Sequence, residues 1–208
     1  MNRPEGFVPA DMDRLPADPL PTIHSWIEDA RHFSGRPNPE AVVLATCGQD
    51  GQPSARMMLL KGLDERGAVI YTNLKSRKAL QIASNPRVAL LMHWDVLGRQ
   101  IRIEGHVTSV SDVEADAYFA SRPWGSRVGA LASDQSKALT SRSMLSEKVR
   151  EIAKQYPEGC TVPRPDHWSG YRVSLDQIEL WQEGDDRLHD RVVYTPGPEG
   201  WKQQRLWP

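Results

Sequence analysis

The chain has 208 residues, of which 39% are hydrophobic and 25% charged, and its formal net charge at pH 7 is -1. This composition is typical of an ordinary globular protein, and the balanced charge argues against a nucleic-acid binder driven by bulk electrostatics. No apolar run approaches the roughly 20 residues of a membrane-spanning helix. The N-terminus has no apolar signal core, so we expect a cytoplasmic protein without a membrane partner.

Histidine and cysteine spacing argues against a metal site or a disulfide framework. The six histidines form no i, i+4 pair and have no Cys-x-x-Cys partner, so we expect no metal. Cys47 and Cys160 are far apart, and reduced thiols are the simpler interpretation.

The N-terminal region predicts an arm followed by a helix. Residues 1–18 are Pro-rich and weakly periodic, which is typical of a flexible arm. We expect residues 19–208 to form a single domain. After Pro19, apolar residues recur at helical spacing, and the predicted buried stripe contains Leu20, Ile23, Trp26, Ile27 and Ala30.

Apolar runs then predict strands around one short helix. "AVVLATC" (41–47), "ARMMLLK" (55–61) and "AVIYTN" (68–73) are strand-like, and an Asp-Gly turn signal joins the first two. A helix is predicted from Ser76 to the Asn85-Pro86 stop, followed by the strand "RVALLMHW".

The second half continues with strands and inserted helices. The segment 99–110 alternates cleanly, as in a half-buried antiparallel strand. Ser111 and Glu114 form a capping box that opens a helix, and a Gly/Ser-rich segment leads to a charged helix at about 141–155. Later strand-like segments are 170–182, 190–196 and 200–208. Without βαβ alternation or Gly-x-Gly-x-x-Gly, this order predicts an α+β fold, an antiparallel β-barrel decorated by helices.

Three cations lie where a helix dipole disfavours them. The predicted start of the helix at Ser76 is surrounded by Lys75, Arg77 and Lys78. Each cation there destabilises the helix by about 0.3 kcal/mol or more. A phosphate bound by the helix start and the basic side chains would explain them. The alternative is a solvated basic turn, in which exposed charges are screened.

Further basic residues extend this anion-site hypothesis. Arg56 and Lys61 flank an apolar strand with opposite side-chain parity, so a bulge or subunit boundary is needed for both to contact one ligand. The alternative is that both cap a buried strand in solvent. Tyr118, Arg122 and Ser126 follow i, i+4, i+8 spacing and would line one face of a continuous helix.

Two alternatives remain open for these segments. Pro123 can start a new helix, and then Tyr118 can simply be buried and Arg122 solvated. In "GDDRLHDR", Arg187, His189 and Arg191 would project to one side of an extended chain at roughly 7 Å intervals. They form either a receptor for an anionic planar ligand or a hairpin tip neutralised by the neighbouring aspartates.

Taken together, these segments resemble the pyridoxine (pyridoxamine) 5'-phosphate oxidase family. The resemblance runs from "LPADPL" at Leu15 to the C-terminal "RLWP". It includes, in the family's order and spacing, "LLKGLDERGAVIYTNLKSRKALQI", "NPRVALL", "SRPWGS", "DQS", "VSLDQIELWQ" and "RLHDR". The joint order over nearly the whole chain makes the resemblance more specific than any one segment.

The resemblance implies an FMN-binding split β-barrel, built as a homodimer with both flavin sites at the subunit interface. It implies a flavin site, partly from the partner chain, made of Arg56, Met57, Met58, Leu59, Leu60, Lys61, Tyr71, Thr72, Arg77, Lys78, Gln100, Gln135, Ser136, Trp181 and Arg191. The substrate phosphate would be held by Lys61, Tyr118, Arg122 and Ser126. Arg187 and His189 would lie over the substrate ring as the catalytic residues.

The activity implied is oxidation of a phosphorylated B6 vitamer, with the cofactor supplying the chemistry. The C4' alcohol or amine passes a hydride to the flavin, and O2 then reoxidises the flavin and yields H2O2. The amine substrate also releases ammonia.

Two departures and two rival functions accompany the resemblance. Longer members of the family carry, ahead of "LPADP", a segment with Arg and Tyr that closes over the substrate, whereas this chain has Arg14 there and no matching Tyr. The second departure is Trp124, a bulky residue beside the expected phosphate loop. One rival is a phenazine-type flavin oxidase on the same scaffold, whose substrate carries no phosphate. The other is a flavin- or vitamer-binding protein without turnover.

Overall fold

The computed structural model describes residues 3–208, which form ten strands and five helices. The strands are β1 Ala41–Cys47, β2 Pro53–Leu59, β3 Gly62–Asp64, β4 Gly67–Asn73, β5 Arg87–Trp94, β6 Arg99–Ser109, β7 Trp168–Val173, β8 Gln177–Gln182, β9 Asp190–Gly197 and β10 Gly200–Leu206. The helices are α1 Leu20–Phe33, α2 Arg77–Ser84, α3 Asp112–Ser121, α4 Trp124–Ala132 and α5 Arg142–Gln155. Within residues 3–208, no helix combines the length and apolar character needed to cross a bilayer.

Every strand pairing among these residues is antiparallel, as the sequence predicts. The main order is β10-β9-β8-β6-β5-β1-β2, while β7 connects β6 to β4 and β4 pairs with β3. Strand β6 pairs with β8 through Arg99–Glu104 and then with β7 through Val107–Ser109. This change of partner curls the sheet into a barrel, so the predicted antiparallel barrel with helices is confirmed.

Gly105 lies where β6 changes partner. A Cβ at this position would lie 1.9 Å from the backbone oxygen of Ser174, in the link between β7 and β8. Only glycine permits this close approach, and the chain can therefore pass from one partner strand to the other without a gap.

The core lies between the curled sheet and α1. Strand positions alternate as predicted, with Leu44, Leu90 and Ile101 among the residues that are at most 1% exposed. In the predicted stripe of α1, Ile23, Trp26, Ile27 and Ala30 are buried, and Leu20 at the start of the helix is partly buried against the core. Period-2 and period-3.6 apolar patterns therefore identified the elements correctly.

Three element boundaries differ from the sequence prediction. Strand β2 ends at Leu59, because the Leu60 N–H bonds to Glu40 O (3.0 Å) and the Lys61 N–H bonds to Val69 O (2.8 Å). The predicted strand 170–182 is divided into β7 and β8. The Gly/Ser-rich segment contains α4, whose N-cap is Pro123, so a new helix starts there.

The N-terminal arm packs on the sheet over its described part. Phe7 and Met12 are 9% and 5% exposed and belong to the main core. The backbone N–H and C=O of Ala10 both bond to the Gln182 amide, at 2.9 Å each. This segment is Pro-rich and weakly periodic because it follows the existing surface instead of forming an element of its own.

Candidate functional site

Lys78, in the first turn of α2, is a buried cation. It is 8% exposed, and its Nζ donates to Gln135 Oε1 (2.7 Å), Thr72 Oγ1 (3.0 Å) and Ser76 Oγ (3.2 Å). Burial, and to a smaller extent the charge of Arg56, lowers the pKa of Lys78 to about 8. A charged group is held here by neutral acceptors alone.

Arg56 and Arg77 add two positive charges beside Lys78. Arg56 lies on the inward side of β2 and donates to Thr46 Oγ1 (2.6 Å) and Leu44 O (3.1 Å). Burial, and then the charge of Arg77, lowers the pKa of Arg56. Across residues 3–208, no carboxylate lies within ion-pair distance of these three cations.

The start of α2 has the features of an anion site. Ser76 occupies the predicted N-cap position, but its hydroxyl donates to Asn73 O (2.6 Å) and does not cap the helix. The first N–H groups of α2 are thus left without a side-chain acceptor. Together with three clustered cations, they form a cradle suited to a phosphate dianion. This geometry favours the phosphate hypothesis over the solvated turn.

An aromatic stack lies next to this cradle. The Tyr71 and Tyr118 rings stack with centroids 4.0 Å apart, and Trp168 stacks on Tyr71 at 5.4 Å. Burial is the main cause that raises the pKa of Tyr71 to about 12, so its phenol stays neutral near pH 7.

Arg122 packs against this stack. Its guanidinium carbon lies 4.7 Å from the Trp168 ring centroid. Its Nη1 is buried and has no hydrogen-bond partner in the described part of the chain, and burial lowers its pKa. This buried Nη1 donor on a partly buried guanidinium is suited to an anionic ligand.

Tyr118, Arg122 and Ser126 lie together without a continuous helix. Tyr118 is on α3, Arg122 is the C-cap of α3 and Ser126 lies in the first turn of α4. They share a cleft of about 320 Å³ with Lys61 and Leu59. The turn at Pro123 therefore brings the three side chains into one cleft, as expected from the i, i+4, i+8 spacing, although two helices and not one continuous helix carry them.

The cradle and the stack form one groove. A second cleft of about 330 Å³ adjoins the first, and both are lined by Tyr71, Arg122, Ser126 and Trp168. The second cleft also contains Met58, Thr72, Lys78 and Gln135. One continuous groove thus has cations at both ends.

The other residues of the predicted flavin-binding strand differ in their exposure to solvent. Met57 and Leu59 are exposed, at 61% and 38%, on the outward side of the edge strand β2. Leu60 is buried in the main core, so any ligand contact there would use its backbone. Ser136, next to Gln135, has a left-handed backbone with φ of 72°.

A second group of predicted residues lies at the other end of the sheet. Gln100, Trp181 and Arg191 are direct neighbours across β6, β8 and β9. The His189 ring lies 4.6 Å from that of Trp181, and its Nδ1 accepts the Gly184 N–H (3.3 Å). Nδ1 is therefore the acceptor in this contact, and Nε2 is the ring nitrogen left for a ligand.

Arg187 is exposed in the loop before β9. It lines a cleft of about 700 Å³ with Arg3, His189 and the acidic residues of the loop. The loop is the tip of the β8–β9 hairpin, but within residues 3–208 Arg187 forms no ion pair with the neighbouring aspartates, so the predicted neutralisation by ion pairs is not seen. Arg191 pairs instead with Glu179 (2.8 Å). In one chain, this cleft and the groove have no lining residue in common.

Trp168 and Trp124 show what sequence reasoning missed. Trp168 ends an irregular, Pro-rich loop with no periodicity, so nothing in the pattern indicated that it lines both clefts. Trp124 is expected from the sequence to add bulk beside the phosphate loop. Its Nε1 donates to Tyr156 O (2.9 Å) and so joins α4 to the end of α5. It lines neither part of the groove.

Comparison with known proteins supports this description. Residues 29–156 match the family model "Pyridoxamine 5'-phosphate oxidase", and residues 168–208 match "Pyridoxine 5'-phosphate oxidase C-terminal dimerisation region". A pyridoxine/pyridoxamine 5'-phosphate oxidase of Gluconobacter oxydans is 52% identical over 93% of this chain and 96% of its own. One of Rubrobacter xylanophilus is 48% identical over 94% and 89%.

Two solved structures are similar. PhzG from Burkholderia lata 383, in complex with tetrahydrophenazine-1-carboxylic acid, has a TM-score of 0.89 and 28% identity over 98% of both chains. A pyridoxamine 5'-phosphate oxidase-related, FMN-binding protein from Nostoc punctiforme PCC 73102 has a TM-score of 0.71. At 16% identity, over 95% of this chain and all of its own, it shares the fold alone. Since a family model matches more than half of the chain and relatives near 50% identity span almost all of it, this protein belongs to the pyridoxamine 5'-phosphate oxidase family.

Proposed function

We propose that this protein is an FMN-dependent oxidase that converts pyridoxine 5'-phosphate or pyridoxamine 5'-phosphate to pyridoxal 5'-phosphate. Oxygen is the electron acceptor, H2O2 is formed, and the amine substrate also yields ammonia. One observation carries the proposal: the groove has cations at both ends that form no ion pair within residues 3–208, which fits two separate phosphates. One belongs to the cofactor and the other to the substrate.

The cofactor phosphate fits the cradle at α2. Arg56, Arg77 and Lys78 repel one another without a counter-ion, and a dianion would relieve that repulsion. Thr72 and Gln135, which bond Lys78 in the ligand-free chain, are placed to bond the same ligand. When bound, the flavin accepts a hydride from the substrate carbon.

The substrate phosphate fits the cleft of Lys61, Tyr118, Arg122 and Ser126. Arg122 offers its unused Nη1 donor, and a guanidinium suits bidentate contact with a phosphate. The adjoining stack of Tyr71, Tyr118 and Trp168 offers flat apolar surface on which a pyridine ring can pack.

The second group of residues reaches the groove from a partner chain. Gln100, Trp181, Arg191 and the Arg187–His189 loop line no part of the groove in their own chain. The match of residues 168–208 to a dimerisation region supports a homodimer. The exposed Met57 and Leu59 of edge strand β2 offer apolar surface for such an interface.

In the assembled site, Arg187 and His189 act on the substrate. Arg187 is a permanent cation that orients the ring and polarises the C4' alcohol or amine, whose carbon loses a hydride and whose O–H or N–H loses a proton. His189 presents Nε2 because Nδ1 is bonded to Gly184, so Nε2 is the atom that holds or moves a proton near the reacting group.

A phenazine-type oxidase is the second candidate, favoured by the similarity to PhzG over 98% of the chain. That protein is seen with a carboxylic acid ligand that carries no phosphate. The cations at the substrate end of this groove, and the higher identity to the B6-vitamer oxidases, favour the phosphorylated vitamer.

The test is H2O2 formation by the FMN-loaded protein in air, with pyridoxine 5'-phosphate and with pyridoxine. We expect peroxide from the phosphorylated form, and a much larger KM for it in Arg122→Met. Arg150→Met, on the exposed side of α5, is the matched control and should leave KM unchanged. Flavin binding without peroxide from either compound would contradict the proposed activity.

A further inference from the structure

Arg164 ties the loop before β7 to helix α3. Its side chain is 15% exposed and pairs with Asp112 (2.8 Å) and Asp116, which lie one turn apart on α3. Its Nη1 also donates to the carbonyl oxygen of Trp168 (2.9 Å). One guanidinium therefore fixes helix α3 and the first residue of β7 at the same time, using its fork of donors.

Trp168 connects Arg164 to the groove, because it contacts Arg164 and lines the groove itself. The indole is 6% exposed, stacks on Tyr71 and Tyr118, and underlies the Arg122 guanidinium at 4.7 Å. Arg122 has no ion pair among the described residues, and the rings of Trp168 and Phe119 are the surfaces on which its guanidinium rests. The direction of Arg122 thus depends on where Trp168 lies.

Arg164 itself lines neither cleft of the groove. Its effect on a ligand must therefore pass through other residues. Trp168 is the groove residue that Arg164 contacts directly, and Asp116 belongs to the same helix as the groove residue Tyr118.

We propose that Arg164 is a positioning residue for the substrate-phosphate end of the groove, acting through Trp168 on Arg122. This inference rests on the proposed function, since it concerns affinity for the same phosphorylated ligand. Without Arg164, α3 and Trp168 lose their common anchor. The Trp168 ring is then held by the β4–β7 pairing and the aromatic stack alone, so the surface that aims Arg122 Nη1 is less well fixed.

The experiment compares Arg164→Met, Arg122→Met and the double variant of the FMN-loaded protein. Direct binding of pyridoxal 5'-phosphate is measured by calorimetry, and turnover of pyridoxine 5'-phosphate gives KM and kcat. We expect Arg164→Met to weaken binding about tenfold, the effect of losing one charge-assisted contact. KM should rise with little change in kcat, because the phosphate does not react.

The double variant tests the route of the effect. If Arg164 acts through Arg122, the double variant binds no more weakly than Arg122→Met alone, whereas independent effects would multiply. Arg164→Lys, which keeps the charge but not the fork, should recover only part of the affinity. Arg36→Met is the matched control, because Arg36 also bonds a carboxylate and a carbonyl, Asp95 and His93 O, away from the groove.

The outcomes separate the inference from the proposed function. Failure of the unmodified protein to bind pyridoxal 5'-phosphate would refute the proposed function. Normal binding by the unmodified protein, with unchanged binding by Arg164→Met or multiplicative effects in the double variant, would overturn the positioning role alone. If Arg164→Met is too unstable to assay, Asp116→Asn tests the same anchor and should weaken binding in the same direction.

Discussion

Raising the pH from 7 to 9 should weaken FMN binding through Lys78. In the ligand-free protein the pKa of this buried amine is about 8, far below its ordinary value near 10.5. A phosphate monoester has its second pKa near 6 and is a dianion at both pH values. The protonation state of Lys78 is therefore the variable that changes in the cradle.

The magnitude follows from that pKa. With a pKa of about 8, Lys78 is roughly 90% protonated at pH 7 and roughly 10% protonated at pH 9. If the dianion binds the protonated form, the apparent affinity falls about tenfold between these pH values. Binding at pH 9 should also take up close to one proton from the buffer.

The assay is quenching of flavin fluorescence at constant ionic strength, with calorimetry in buffers of different ionisation enthalpy to count protons. Riboflavin has the same ring system without the phosphate and controls for titration elsewhere. Lys78→Met should bind FMN weakly with no pH slope. An FMN affinity that stays constant from pH 7 to 9, or the same slope in Lys78→Met, would refute the assignment of the phosphate to this cradle.

The other predictions concern stability, measured by chemical denaturation of the ligand-free protein. Because the pKa of Lys78 is lowered on folding, the unfolded chain binds more protons than the folded chain between pH 8 and 10.5. Lys78 therefore makes the free energy of unfolding rise with pH in that window, by about 3 kcal/mol in total. The difference in this free energy between the unmodified protein and Lys78→Met should rise accordingly, and a fall would contradict the reasoning. Gly105→Ala should cost about 3 kcal/mol because its Cβ meets Ser174 O, whereas Gly125→Ala, with open space around it, should be neutral or stabilising. Glu179→Gln should cost about 2 kcal/mol, since this buried carboxylate accepts from Arg102 and Arg191; an unchanged midpoint would show that water replaces it freely. Trp124→Phe should cost about 1 kcal/mol through the lost bond to Tyr156 O and leave FMN affinity unchanged, and a change in that affinity would place Trp124 in the groove after all.

Elements with a strong local signal were predicted well from the sequence. The stripe of α1 and the alternation of β6 follow directly from burial on one face. The Ser111 cap of α3 is confirmed, because its hydroxyl accepts the Glu114 N–H (3.2 Å). The other half of the predicted capping box is absent, since the Glu114 carboxylate pairs with Arg172 (2.8 Å).

Features that depend on distant parts of the chain were not predictable in this way. The end of β2 is set by Glu40 and Val69 and not by the residues of "ARMMLLK". The packing of the arm depends on Gln182, some 170 residues away. Arg164 lies in an irregular loop and Trp168 is the first residue after it, at the start of β7. Their place beside the groove follows from tertiary contacts that leave no periodic pattern in the sequence. The roles assigned to individual groove residues stay predictions until ligand binding is measured.

The double pairing of β6 also has a consequence for the order in which the chain folds. Its partners β7 and β8 lie about 60 to 80 residues later, as in the pairs of Val107 with Val173 and of Ile101 with Leu180. Contacts so distant along the chain are slow to form. During synthesis, one edge of β6 remains an unpaired, partly apolar strand until the C-terminal quarter has emerged. The nascent protein is therefore most exposed to intermolecular strand pairing in that interval, well before any cofactor site exists.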